Sequence, residues 1–287
     1  MSVIDSHHHF WWTRRRPHKF PPSFGTSLAR DFTPEDLMPE MRRAHIDGTV
    51  LVQSLNSLDE TLEYIELAHQ YDFVRGVVGW VPMENPAACA KALAQLTPHK
   101  KFAGVRHLNN FEPDPNWFQL PGVNESIGLL AKAKLVLEAI PNTPEQRESF
   151  LKVSERYPDI KLNLNHLGRP PVPEKGWEPW ASQMARAAQN PNISVKLSIG
   201  GDVASQWKWN TDEIHRYSDH VLELFGADRV MIASNWPVVL LSGCFAKVWG
   251  GIDDLIGDLS SRERDAVMGG SVEKIYGLSV AAIAKSA

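Results

Sequence analysis

Near its start the chain reads VIDSHHHF over residues 3–10. The groups able to do chemistry there are Asp5, His7 and His9, spaced by two. In an extended strand those positions share one face, while His8 turns to the other. Two imidazoles on one face can grip a metal ion or polarise one oxygen together. The competing assignment is a pair of core histidines with satisfied hydrogen bonds. His166 closes IKLNLNH, and Asn235 follows DRVMIAS. Arg106 and His107 end FAGVRH, and Gln53 ends GTVLVQ. Trp80 lies near the end of VRGVVGWV, Glu138 in KLVLEA, and Lys196 and Ser198 in ISVKLS. Arg169 comes three residues after His166, and Trp236 directly after Asn235. A guanidinium such as that of Arg106 or Arg169 clamps an anion bidentately, and the Lys196 ammonium adds a point charge. His107 is suited to hold a hydroxyl group. The plainer readings are rim charges for Arg106 and Lys196 and packing for Trp80 and Trp236.

The elements that must position these groups are eight short runs rich in β-branched residues: 3–10, 48–53, 74–81, 102–107, 134–139, 160–166, 193–198 and 228–234. Amphipathic stretches such as TPEDLMPEMRRAHI, LDETLEYIELAHQY, PEQRESFLKVSERY and TDEIHRYSDHVLELF alternate with them. Several open on Thr or Asp followed by Pro or acidic residues, as helix starts do. Strands separated by helices predict parallel pairing with right-handed crossovers. Eight of them predict a closed (β/α)8 TIM barrel, one α/β domain over residues 1–287, rather than an open doubly wound sheet. No Gly-rich phosphate loop follows the first run. Residues 261–277 read as a closing helix pair. Active sites of such barrels lie at the C-terminal ends of the strands. Four of the 11 histidines fall at those ends, and that shared rim outweighs the plainer reading of each residue alone. His8 reads as structural, and His45, His69, His215 and His220 as surface residues of helices.

A net charge of -4 argues against a nucleic-acid partner. No apolar stretch nears the roughly 20 residues of a membrane span, and no signal peptide is expected. Cys89 and Cys244 read as separate buried thiols in a reducing cytoplasm. The tract Arg14, Arg15, Arg16, His18, Lys19 reads first as a solvated face, and beside the site it would attract an acidic substrate. Several of the 10 tryptophans lie in loops, where they suit an apolar pocket.

The motifs DSHHHFW (5–11), GVRH (104–107), NHLGRP (165–170), VKLS (195–198) and SNWPV (234–238), in that order along the whole chain, resemble the lactonase branch of the amidohydrolase superfamily. That branch includes fuconolactone- and rhamnonolactone-type sugar lactonases, 2-pyrone-4,6-dicarboxylate hydrolase and 4-sulfomuconolactone hydrolase. The resemblance implies that water opens a small-molecule lactone, anionic or derived from a sugar acid, to its hydroxy acid. His7 and His9 fall on the family's H-x-H pair, His166 on its later strand histidine, Arg106 on the arginine of the fourth-strand motif, and position 235 on its last-strand aspartate. Metal use varies in the branch, so the resemblance implies either a divalent ion such as zinc on His7, His9, His166 and Asn235, or no metal. Gln53, Trp80, Arg106, His107, Arg169, Lys196 and Trp236 would then contact substrate. Self-association into a homo-oligomer stays open.

Asn235 departs from this pattern. A carboxylate takes a proton from water and an amide does not. Either an aspartate has been replaced, disabling a hydrolase, or the protein is naturally divergent. The otherwise intact surroundings favour the first. Two rivals remain: a metal-dependent decarboxylase of the same superfamily, and a non-catalytic binding protein on the barrel.

Overall fold

The computed structural model describes residues 2–206 and 210–278. Eight parallel strands run in sequential order: β1 (Ile4–His8), β2 (Gly48–Val52), β3 (Val74–Gly79), β4 (Phe102–Arg106), β5 (Val136–Ala139), β6 (Leu162–Leu164), β7 (Ile193–Leu197) and β8 (Val230–Ile232). The helices are α1 (Pro34–Arg43), α2 (Leu58–Gln70), α3 (Pro86–Leu96), α4 (Pro121–Lys132), α5 (Pro144–Arg156), α6 (Trp180–Ala188), α7 (Gly201–Gln206), α8 (Thr211–Phe225), α9 (Phe245–Leu255), α10 (Ser261–Asp265) and α11 (Ser271–Tyr276). This is the (β/α)8 TIM barrel. The helices start where their sequences say they should. Asn85 accepts from the Ala88 amide with Pro86 at the first helical position, Thr143 does the same for Gln146 ahead of Pro144, and Ser57 caps α2 on Glu60. Each such cap satisfies an amide that the helix cannot.

Closure depends on β1 meeting β8. The Asn235 amide donates to the His7 carbonyl at 2.8 Å and the His9 amide to the Trp236 carbonyl at 2.8 Å. Beneath them Asp5 accepts from the Ser234 amide at 2.8 Å and the Ser234 hydroxyl at 2.5 Å. The barrel interior is lined at its lower end by Ile4, Val50, Val52, Val78, Val136 and Met231, and Val272 and Tyr276 of α11 plug it. The outer layer buries one continuous core between strands and helices.

Seven of the eight strands end one or two residues before the expected runs do, and β5 ends with its run at Ala139. His9, His166 and Asn235 lie just past the ladder, and His166 and Asn235 take positive φ values of 54° and 55°. Chain leaving a sheet can turn its side chains inward over the barrel mouth, as the ladder cannot. Two lesser expectations fail. Cys244 is exposed rather than buried. His220 is half-buried against Trp177 and Trp180, with ring centroids at 4.8 and 5.6 Å, because α8 turns that side toward the loop before α6.

Candidate active site

At the C-terminal ends of the strands a cavity of about 760 Å³ opens. His9, Arg106, His166, Arg169 and Asn235 are part of its lining. Of these, His9, Arg106, His166 and Asn235 are buried in a protein whose surface could have solvated them. Burial first, then the neighbouring cations Lys196 and Arg106, hold His7 well below its usual pKa. Burial also leads for His9 and His166, with Arg106 next for the first and Arg169 for the second. All three imidazoles are therefore neutral near pH 7.

Their hydrogen bonds constrain their protons. His9 Nδ1 lies 2.7 Å from the Val52 carbonyl, which can only accept, so Nδ1 carries the proton and Nε2 is bare. His7 sits a layer below, fully buried, with Nε2 3.2 Å from His9 Nε2 and its ring 4.9 Å from that of His166. His166 Nδ1 pairs with the Ser198 hydroxyl at 2.8 Å. Arg106 NH1 reaches His7 Nε2 at 3.1 Å and Asn165 Oδ1 at 3.2 Å, while NH2 donates to the Gln53 carbonyl and to Gln53 Oε1 at 3.3 Å. Asn235 donates through Nδ2 to the Ile199 carbonyl at 2.8 Å.

Several expected substrate contacts lie elsewhere. Lys196 is not at the rim: it is fully buried below the cavity, with Nζ 2.8 Å from both Glu138 oxygens. An ammonium inside a barrel must be paired, and Glu138, two strands away on β5, is the partner. Gln53 is spent on Arg106, which it buttresses from both ends of its side chain. Trp80 donates to His107 Nδ1 at 3.0 Å, and His107 meets Glu112 at 2.6 Å and stacks on Trp117 at 3.9 Å. That pair therefore braces the loop after β4 instead of facing the cavity. Trp236 packs edge-on against Phe10 and Phe32, at 5.9 and 5.4 Å. Arg169 does line the cavity, but already pairs with Asp202 at 2.7 Å. Within the basic tract, Arg15 and Arg16 are tied to Glu63 on α2, and only His18 and Lys19 reach the lining.

The reading of single strand ends missed the walls. Trp11, His18, Phe20 and Phe24 of the loop after β1 form an aromatic flank, with His18 stacked on Phe20 at 5.3 Å. Asn110, Phe111 and Asn142 come from the loops after β4 and β5, and Phe111 is 62% exposed. The one available signal was the aromatic density of residues 10–24. Loop residues without strand register give no geometry from sequence.

The surroundings of His7 and His9 also test the site as a metal centre. Their Nε2 separation of 3.2 Å is near the ~3.3 Å that two ligands at 2.0–2.1 Å from a tetrahedral zinc would show. The rest does not fit. A guanidinium and the Lys196 ammonium, 3.4 Å from Nδ1, flank His7, and the amide of Asn235 turns its donor to a carbonyl. Among the described residues no three His, Cys, Asp or Glu side chains could hold an ion together.

The amidohydrolase family profile matches residues 4–278. An L-fucono-1,5-lactonase of Burkholderia ambifaria is 32% identical over 242 residues, covering 84% of this chain and 82% of that protein. An L-fucono-1,5-lactonase of Burkholderia multivorans is 28% identical over 296 residues, covering 96% of each. A crystal structure of an amidohydrolase from Burkholderia multivorans with bound zinc superposes with a TM-score of 0.87 at 26% identity, covering 97% of this chain and 100% of that one. With the barrel, the histidine cluster at its mouth and these relatives in agreement, the chain belongs to the amidohydrolase family.

Proposed function

We propose that the protein is a lactone hydrolase that opens an anionic or sugar-acid lactone to its hydroxy acid without a resident metal ion. The observation that carries this reading is the meeting of neutral His9 and His166 with the Arg106 guanidinium on the floor of one cavity. The two L-fucono-1,5-lactonase relatives support the lactone as substrate class. Lys19 and Arg169 at the wall, against the single carboxylate of Asp202, suit a substrate with negative charge.

Opening a lactone needs an electrophile at the carbonyl oxygen, a base for water and a proton for the leaving alkoxide. Arg106 supplies fixed positive charge for the developing oxyanion, where low local dielectric strengthens it. Asn235 cannot take the proton of water. His166 can: in the tautomer whose Nδ1–H donates to the Ser198 hydroxyl, Nε2 is bare and able to take a proton from water. The imidazolium so formed then returns its proton to the alkoxide. His9, its Nδ1–H on the Val52 carbonyl, walls the other side of the floor with its ring.

The Asn235 amide supports natural divergence over a disabled aspartate, because its bond to the Ile199 carbonyl is one that an ionised carboxylate cannot make. The deciding experiment is hydrolysis of a lactone panel, including L-fucono-1,5-lactone, by wild type and His166→Gln. Loss of about 10²- to 10⁴-fold in kcat is expected for the variant. Equal rates would remove His166 from the reaction, and release of CO₂ without acid from any lactone would replace the hydrolase with a decarboxylase.

A further inference from the structure

Beneath the cavity floor, polar groups form a chain that no step above uses. Tyr276 on α11 reaches through the lower end of the barrel and donates its hydroxyl to Glu138 Oε1. Glu138 Oε2 also accepts from Asn165 Nδ2 at 2.8 Å, and both its oxygens accept from Lys196. Lys196 Nζ in turn lies 3.4 Å from His7 Nδ1, and His7 Nε2 lies 3.2 Å from His9 Nε2. All of these side chains are buried.

Two placements of the His7 proton are open, and they do not satisfy the same partners. With the proton on Nδ1, that N–H faces an ammonium, and the bare Nε2 atoms of His7 and His9 confront each other. Only the Arg106 contact is then a hydrogen bond. With the proton on Nε2, Nδ1 accepts from Lys196 and Nε2–H donates to His9, whose Nε2 is already bare because Nδ1–H is on Val52. Arg106 NH1 keeps Asn165 Oδ1 as its acceptor. The second placement satisfies two of the three contacts and the first only one.

We infer that Lys196, held by Glu138 and Tyr276, is a positioning residue that fixes the proton of His7 on Nε2 and thereby holds the His9 ring in the cavity floor. The chain Tyr276–Glu138–Lys196–His7–His9 thus ties the plug at the bottom of the barrel to the reacting end. No bond to substrate is assigned to Lys196, Glu138 or Tyr276. The kinetic consequence rests on the lactone hydrolase reading, whereas the proton placement does not.

The test is nitrogen-15 correlation spectroscopy of the imidazoles in the whole protein. The wild type should show His7 with a bare Nδ1 and a protonated Nε2. Lys196→Met combined with Glu138→Gln removes both charges, so neither is left buried and unpaired. This pair should release His7 to the Nδ1–H form and lower kcat on a hydrolysed lactone by about tenfold or more, with KM within about twofold. Tyr276→Phe, a milder change, should lower kcat by about two- to fivefold in the same pattern. A wild-type His7 protonated on Nδ1 overturns the inference whatever the variants do, since Arg106 would then set the proton. So does a folded double variant with the tautomer and kcat of the wild type. If no lactone is turned over, the functional reading fails while the spectra still decide this one.

Discussion

At position 235 an amide and a carboxylate meet opposite receptions from one neighbour. The Ile199 carbonyl lies 2.8 Å from the Asn235 nitrogen, in a place only 2% exposed. An aspartate there would set like partial charges against each other and strip the carbonyl of its donor, at about 1–3 kcal/mol. Asn235→Asp is therefore expected to lower the melting temperature and to raise kcat/KM by less than about tenfold. A gain of a hundredfold or more on any lactone would mean that an aspartate belongs there. The pH profile follows from the imidazoles. In the proposed mechanism they act in the neutral form, and burial with nearby cations holds their pKa values well below 6.5. Protonation, which stops the base, sets in only on acidification well past 6.5, so kcat/KM should stay level down through that value. Burial lowers Lys196 to about 8 despite Glu138. Raising the pH through about 8 discharges it, and an alkaline limb is expected there. An acid limb centred at 6.5 would show solvated imidazoles instead.

The join between β1 and β8 is where a single carboxylate aligns two elements. Asp5 accepts from His7 N at 3.1 Å and from both donors of Ser234, and so sets the spacing between His7 and Asn235. Desolvation raises its pKa from 3.8 to about 6 despite those bonds. The folded state thus holds the proton more tightly than the unfolded chain. Stability from this group is greatest at low pH and is lost as pH rises from 3.8 through about 6. The difference is on the order of 3 kcal/mol. Asp5→Asn keeps the acceptor oxygen, and the Ser234 hydroxyl can rotate to accept from the new amide. Thermal melts between pH 4 and 7 should therefore show a flatter slope for the variant; parallel curves would contradict the assignment. All eight strands were legible, because β-branched runs of this length have few other uses. Their ends were less so: His166 and Asn235 sit in left-handed backbone just past the ladder, which no period-two pattern reveals. Lys196 shows the opposite failure. Its place near a strand end is as expected, but sequence does not tell a rim cation from one drawn into the barrel by Glu138, 58 positions earlier.

Across the whole molecule, charge decides what the barrel mouth can hold. The zinc-bound relative superposes closely, and His7 and His9 keep a spacing a zinc ion would accept. Around them, however, this chain gathers fixed cations. Arg106 NH1 is 3.1 Å from His7 Nε2, and Lys196 Nζ 3.4 Å from Nδ1, with Glu138 as the compensating carboxylate already bonded to Lys196 and Tyr276. Two unit charges 4 Å apart repel by roughly 4 kcal/mol at an effective dielectric of 20, and a divalent ion doubles that for each neighbour. Neutral imidazoles alone do not offset such repulsion, and the amide at position 235 adds no charge. The same cations suit an oxyanion, so in the metal-free mechanism proposed above the protein itself supplies the electrophile. Prolonged dialysis against a chelator should therefore leave kcat/KM on a hydrolysed lactone within about twofold, and added zinc should bind weakly and not activate. Metal analysis of the purified protein should find well under one equivalent. Activity lost to the chelator and restored by zinc would show that Arg106 and Lys196 swing away from His7 in the working enzyme, and the charge argument would fall with them.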